Sequence, residues 1–456
     1  MRLPAFVAGM LIVLAVYLLA RRFTDRSTSL LAMALAAVWP ALVLYSTNAR
    51  GYSIIVLAFL VLLMLGDAAI ERDSWWPWLI IAVVTALGMY TVPVMLYPAG
   101  AAMLWTLAEA ARRGGTGAAH SLVPRMAAAV ALAAVLTVMA NLPVVVHAGL
   151  AALVTNKYVT PLSPAQFVDA LPLFASDLLA TNALGLPRLL LAALVPLAVA
   201  GVVAPAPAQI RRRSLAVVTL LWSAALIIVM RRPPPGRVLL FVVPLACMYV
   251  ASGTRVVLAL LARARDQRLA MNVLACAVVI SLAAHTALAR TVFRAPETGT
   301  LVDAPQIADY LLANLRPGDR IAVQAPSGPS LDYYLVRKGG RPMTQDRSAG
   351  LGRVFVVVNP RHLQSLASVQ RFRRDLPWAE LVPEGAPVSF ASESIFVFQN
   401  VSDNRVAGSR SDLFPSRPSG AVGPFDALSR SASGAAAGSH RTAGLAVEAS
   451  PQQEVK

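Results

Sequence analysis

Long uncharged runs alternate with short arginine-bearing segments from residue 3 to residue 289. Each run approaches the ~20 apolar residues that an α-helix needs to cross a hydrocarbon core. The runs are 3–20, 27–49, 51–70, 126–146, 189–209, 214–230, 238–254 and 269–289, plus a longer stretch, 74–108. As one helix that stretch would measure roughly 52 Å, too long for a ~30 Å core. Pro93 and Pro98 lie near its middle, where proline breaks the helical hydrogen-bond ladder. It therefore predicts two helices, about 76–92 and 95–110, joined by a tight turn. The pattern predicts a polytopic α-helical membrane protein of about ten transmembrane helices over residues 1–289.

The pattern changes at Arg290. Asp303 is placed to N-cap a helix over 306–315 with Pro305 in its first turn. Arg316-Pro317-Gly318-Asp319 is a turn signal. Strands are expected at 320–324, 353–358, 388–390 and 394–398, and helices at 331–336 and from Asn359-Pro360 to about residue 374. Alternating helices and strands over 290–400 predict a small α/β domain. It contains no GxGxxG and no GxSxG, so it offers no catalytic signature of its own. Residues 401–456 are rich in Ser, Ala, Gly and Pro and are expected to be a disordered tail.

Composition agrees with the spans. Hydrophobic residues make up 57% of the 456 and charged residues only 14%, against roughly 25% charged in soluble domains. The net charge of +17 suggests nucleic acid until its distribution is considered. Arginine and lysine follow a topological rule that enriches them on the cytoplasmic side. The loops at 21–26, 72, 112–125, 211–213 and 255–268 hold 14 of them, and the alternate set holds 7: Arg2, Arg50, Lys157, Arg188, Arg231, Arg232 and Arg237. The first set is then cytoplasmic, and the C-terminal α/β domain is extracytoplasmic. No nucleic-acid partner is expected. Cys247 and Cys276 both sit in apolar runs, and the five histidines show no ligand spacing. Neither a disulfide framework, a metal site nor a cofactor is expected.

The informative charges are those the topological rule does not explain. Arg50 lies in Asn48-Ala49-Arg50-Gly51-Tyr52, a short outer turn. Arg231, Arg232 and Arg237 flank Pro233-Pro234-Pro235-Gly236 in another. Two readings compete. The arginines snorkel to lipid headgroups, or they bind an anion, most plausibly phosphate, for which guanidinium offers a planar multi-donor fork. Tyr45, Trp75, Trp76, Trp78, Tyr90 and Tyr97 read as an interfacial aromatic belt; Tyr52, two residues from Arg50, is the partial exception. Asp67 is expected to be hydrated near the cytoplasmic end of its span. Asn141 and His285 are expected to make interhelical hydrogen bonds. Outside the α/β domain and the tail, the outer face offers two acids, Asp169 and Asp177. They are the available candidates for a general base; the alternative is that they are ordinary cap or surface acids of an amphipathic stretch, 164–179.

Several segments, taken in order, resemble one superfamily. Leu3–Arg22 followed by Arg26–Tyr45 resembles its arginine-terminated helix and the helix after it. Asn48-Ala49-Arg50-Gly51-Tyr52-Ser53 is similar to its Ala-Arg-x-Tyr turn, and Ala86–Thr91 to its Gly-x-Tyr-Thr helix. Gly236–Pro244 resembles its late Arg-Tyr-Leu…Pro helix, and Pro317-Gly318-Asp319 with Asp332–Leu335 its outer α/β domain. The set is similar to the polytopic GT-C glycosyltransferases, in particular the bacterial relatives of protein O-mannosyltransferases and of the lipid A aminoarabinose transferase. The resemblance implies a sugar moved from a polyprenyl-phosphate donor to a protein, lipid or glycan acceptor, at the outer face of a bacterial inner membrane. It implies Arg50 and Arg237 at the donor phosphate, supported by Tyr52, with Arg231 and Arg232 alongside. Family members begin with a further helix and an acidic catalytic loop, and the first span here resembles their second. The expectation is a chain truncated at its start, and inactive as written if the acid is missing. The competing classes are a non-catalytic envelope-assembly protein and a lipid or solute transporter. The transporter would call for inverted repeats and intramembrane acids.

Overall fold

The computed structural model describes residues 3–400, apart from 49, 73, 150–160, 204–206, 262–263, 290–291, 293–294, 296–300, 325–326, 341, 344–351, 361–363, 374 and 392. The expected tail, 401–456, lies outside the described residues.

The membrane region runs α1 (Leu3–Arg21), α2 (Arg26–Val38), α3 (Pro40–Thr47), α4 (Tyr52–Glu71), α5 (Trp76–Thr91) and α6 (Leu96–Ala148). It continues with α7 (Pro164–Asn182), α8 (Arg188–Val203), α9 (Pro207–Met230), α10 (Val242–Leu261) and α11 (Ala264–Leu288). Among the described residues six helices are long and apolar enough to cross a membrane, or seven if the pair α2 and α3 is one span. α5 and α8 are shorter apolar helices. The 55 residues Pro93–His147 would measure roughly 80 Å as a straight rod, enough for two crossings. They are broken at Gly114 and Gly115, the latter at φ +74°, a conformation glycine adopts without strain. The expected runs thus fall on helices of the membrane region, and the polytopic α-helical fold stands.

Local chemistry sets the breaks. The expected run 27–49 is bent by 54° between α2 and α3, because Trp39 is extended and Pro40 has no N–H to continue the ladder. Asp25 caps α2 by accepting from the Thr28 N–H at 2.8 Å. A short 3-10 turn, Pro93–Met95, joins α5 to α6, as the proline pair predicts. α1 places small Ala5, Ala8 and Ala15 inward while Leu3, Met10, Leu14 and Leu18 are exposed. Small residues at helix contacts and large apolar ones toward lipid are the membrane pattern. The core centres on Trp78, Trp105, Tyr45 and Phe59, and Phe59 meets Phe241 edge-on at 4.9 Å.

Charges collect at the end of the bundle where α1 and α4 finish. Asp67, 4% exposed, accepts from Arg22 at 2.9 Å and pairs with Arg113. Arg113 also bonds Glu109 at 2.7 Å, which in turn holds Arg112. Asp25 pairs with Arg255. Asp67 is therefore ion-paired rather than hydrated as the sequence suggested: burial demands a partner for a charge, and Arg22, just after α1, and Arg113, just before the Gly114 break in α6, reach it. Asn141 also departs from expectation, bonding the Thr137 carbonyl of its own helix at 2.8 Å. His285 bonds the Gly185 carbonyl at 2.9 Å, a contact between elements as expected.

The C-terminal domain runs α12 (Ala304–Asn314), β1 (Arg320–Val323), α13 (Ser327–Arg337), β2 (Arg353–Val358), α14 (Leu366–Phe372), β3 (Leu381–Pro383), β4 (Val388–Ser389) and β5 (Ser394–Asn400). The sheet order is β1-β2-β5-β3, with β4 on β5. β1 and β2 are parallel, joined through α13, and the remaining pairs are antiparallel. One face packs Ile307, Leu311 and Leu331; the other packs Val369, Leu376 and Leu381. The turn at 316–319 forms as read: Asp319 accepts from the backbone N–H of Arg316 and of Arg353. Asp303 precedes α12 without a side-chain cap bond, and strand β3 has no apolar alternation in the sequence to announce it.

Glu393, 1% exposed, sets a pH dependence in this domain. Burial, and then the neighbouring Asp303, push its carboxyl from 4.5 up to about 7. An acid whose folded value is raised stabilises the fold fully below its unfolded value, and that contribution is lost as pH rises through the folded one. Stability of the C-terminal domain is expected to fall between about pH 4.5 and about 7. Glu393→Gln, which stays neutral, is expected to remove the fall, read as the thermal midpoint of the full chain in detergent across that range. An unchanged pH profile in the variant would refute the assignment.

Candidate functional site

The site is built where three turns converge, at the end of the bundle opposite the ion-paired cluster. α4 begins at this end, and its first residue, Tyr52, points its hydroxyl at the late turn. The Arg237 Nε donates to the Tyr52 hydroxyl at 2.9 Å, and the guanidinium carbon lies 5.9 Å from the centre of the Tyr52 ring. Tyr52 is held from behind by Tyr45, ring centres 5.3 Å apart and edge to face. Arg237 is the second residue of the 3-10 turn Gly236–Leu239, which begins directly after the three prolines.

A cavity of ≈ 750 Å³ lies beside these residues. Tyr52, Arg232, Arg237 and Asp177 supply its charged and hydroxyl edge. Val94, Tyr97, Phe174 and the proline run 233–235 supply apolar walls. The cavity is mixed in character, able to place an anionic head against two guanidiniums and an apolar body against aromatic and aliphatic surface.

The remaining expected site residues lie elsewhere. Arg50 is exposed in its turn and is not among the cavity's lining residues. Arg231 terminates α9 with φ +45°, a left-handed conformation unusual for a side chain other than Gly or Asn; its carbonyl accepts from the Leu162 N–H at 3.0 Å. Asp169 is exposed on α7, away from the cavity. Asp177 does reach it, with Oδ2 accepting from the Gly236 N–H at 2.6 Å and Oδ1 from the Thr181 hydroxyl at 3.3 Å. Among the described residues no group of three or more His, Cys, Asp or Glu could hold a metal.

Tyr97, expected in the aromatic belt, is 5% exposed and lines the cavity. Trp78 and Tyr45 are likewise core residues, at 1% and 0%, whereas Trp75, Trp76 and Tyr90 are exposed as a belt requires. The signal for Tyr97 was its place just after the Pro93 turn, at the same end as Arg50 and Arg237. Phe174 and Asn182 carried no comparable signal.

With this geometry in place, comparison with known proteins is informative. The sequence model of the dolichyl-phosphate-mannose-protein mannosyltransferase family matches residues 1–141. The chain is similar in structure to ArnT from Cupriavidus metallidurans in the apo state, at TM-score 0.51 and 13% identity, covering 88% of this chain and 84% of that one. It is also similar to the same ArnT bound to undecaprenyl phosphate (TM-score 0.48, 12% identity, 87% and 83% covered). A third similarity is to the Archaeoglobus fulgidus oligosaccharyltransferase in complex with Zn and sulfate (TM-score 0.42, 13% identity, 86% and 60% covered). No curated protein matches the chain. The overall fold is similar to that of ArnT, and Arg50 and Tyr52 lie within the residues that the family model matches.

Proposed function

We propose that the chain is a membrane glycosyltransferase that moves a sugar from a polyprenyl-phosphate donor to an envelope acceptor, at the outer face of a bacterial inner membrane. The observation that carries this reading is the cavity bounded by Arg232, Arg237 and the Arg237-bonded Tyr52. Guanidinium forks stabilise a phosphate most strongly where its charge grows as it leaves. The apolar walls suit an isoprenoid or sugar face. The family whose model matches the first 141 residues is described by a donor of this class, dolichyl-phosphate-mannose. Arg50 and Arg231 would then act from the rim, and the arginine-rich loops would face the cytoplasm.

A second reading, donor binding without transfer, is favoured by one observation. Asp177 is the carboxylate among the cavity's described lining residues, and both its oxygens already accept hydrogen bonds. Incubation of the purified chain with radiolabelled polyprenyl-phosphate sugars and a membrane extract of acceptors separates the two. Label transfer supports the enzyme, retention of donor without transfer supports the binding protein, and no retention refutes both.

A further inference from the structure

We propose that α7 is a positioning element for Arg237, and that Asp177 and Asn182 are positioning residues that clip the Gly236 backbone in place. The inference rests on the donor-phosphate reading for its consequence, and on the hydrogen bonds of one turn for its substance.

The turn from Arg231 to Arg237 has few hydrogen bonds of its own, the Val238 N–H to Pro235 carbonyl bond at 2.9 Å among them. Pro233, Pro234 and Pro235 fix φ but have no N–H to donate, so further hydrogen bonds that place the turn against the bundle come from outside it. α7 supplies them. The Gly236 N–H donates to Asp177 Oδ2 at 2.6 Å. The Gly236 carbonyl, which leads directly into Arg237, accepts from Asn182 Nδ2 at 2.9 Å. One glycine is thus gripped at both of its polar groups by two side chains of a single helix. Glycine is what allows the approach: a Cβ at 236 would lie 2.7 Å from the Asp177 carbonyl oxygen and 2.9 Å from the Leu178 Cα.

The clip is itself anchored. Trp39 Nε1 donates to the Asn182 carbonyl at 2.6 Å, tying the end of α7 to the bundle. At its other end, the Ser163 hydroxyl and the Gln166 side chain form a capping box, and the Leu162 N–H bonds the Arg231 carbonyl. The start and finish of the proline turn are therefore both fastened to one segment, 162–182. The Asp177 carboxylate is used in this clip. A carboxylate that accepts a short backbone N–H bond and a hydroxyl bond holds geometry, and the Arg237 guanidinium is carried to Tyr52 by that geometry.

The experiment uses the full chain in nanodiscs, with undecaprenyl phosphate as the probe and two readouts. The first is probe affinity. The second is amide hydrogen exchange in the peptide containing Gly236, which requires no ligand. Asp177→Ala and Asn182→Ala are each expected to weaken affinity roughly tenfold, the usual effect of losing one such bond, and to speed Gly236 exchange. Asp177→Asn, whose amide oxygen can still accept from Gly236, is expected to restore slow exchange and to bind within about threefold of the unmodified chain. Asn182→Ala decides the matter should Asp177→Ala fail to fold. Unchanged exchange in both alanine variants overturns the proposal. So does an Asp177→Asn protein with slow exchange and lost affinity, since the charge and not the position would then matter. If the unmodified chain does not bind the probe, the donor-site reading fails, and the exchange readout alone decides whether the clip exists.

Discussion

Gly253→Ala is expected to prevent the chain from being recovered as a folded, monodisperse protein, and Gly201→Ala to do the same. The two glycines face each other where α8 crosses α10. A Cβ at Gly253 would lie 2.7 Å from the Leu197 carbonyl carbon and 2.9 Å from the Gly201 nitrogen. A Cβ at Gly201 would lie 2.8 Å from the Tyr249 carbonyl carbon and 2.9 Å from the Gly253 nitrogen. These neighbours are backbone, so relief requires the helices to move apart. Separation would forfeit the close contact on which helix association in lipid depends, because lipid tails already solvate apolar side chains. The sign runs against propensity, since glycine to alanine inside a helix ordinarily gains about 0.5–1 kcal/mol. Gly117→Ala provides the control: it lies in α6 and nothing stands within 4 Å of its Cβ position. Size-exclusion profiles and thermal midpoints in detergent decide the matter. Gly201 and Gly253 variants as stable as Gly117→Ala would show that the crossing is looser than described.

The spans were legible because bilayer crossing imposes one requirement, about 20 apolar residues, that six of the described helices meet outright. What the sequence could not show is how each span is broken. Nothing in the run 27–49 except Pro40 announces the 54° bend, and Gly114-Gly115 is a break only because one of the pair takes φ +74°. The C-terminal α/β fold followed from alternation and turn chemistry, with β3 lost because a three-residue strand carries no period.

The site was half legible, for a reason that lies in the charge count. Arginines on the outer face conflict with topology, and a conflict between local and global preference is where function tends to be found. That argument singled out Arg232 and Arg237, which line the cavity, but also Arg50 and Arg231, which do not. Topology locates a residue to one side of a membrane; it does not say which way the side chain points. Asp67 shows the same limit at the other end, where two arginines distant in sequence turn an expected hydrated acid into a buried partner. Asp177 was found because acids are scarce on the outer face, while its hydrogen bond to Gly236, 59 residues away, is a fact of packing alone.

Arg237→Ala is expected to be the most damaging single change at the cavity. It removes a guanidinium from the proposed phosphate position and leaves the Tyr52 hydroxyl without its donor. Charge-assisted hydrogen bonds contribute about 1.5–3 kcal/mol each, so polyprenyl-phosphate affinity is expected to fall roughly 10- to 100-fold. Arg237→Lys keeps the charge but loses the planar fork. Lysine must serve both Tyr52 and the phosphate from its single Nζ, without the fixed spacing of the guanidinium donors, so it is expected to recover only part of the loss. Tyr52→Phe isolates the support: it takes away the acceptor at 2.9 Å but leaves the ring beneath the guanidinium, and a loss of a few-fold is expected. The double variant Tyr52→Phe with Arg237→Ala should then be no worse than Arg237→Ala alone, because the tyrosine acts through the arginine. Isothermal titration of undecaprenyl phosphate against the four proteins, each checked for its melting midpoint, measures the whole cycle. Additive losses would place Tyr52 on the ligand in its own right. Unchanged affinity in Arg237→Ala would remove Arg237 from the phosphate and leave it as an interfacial charge.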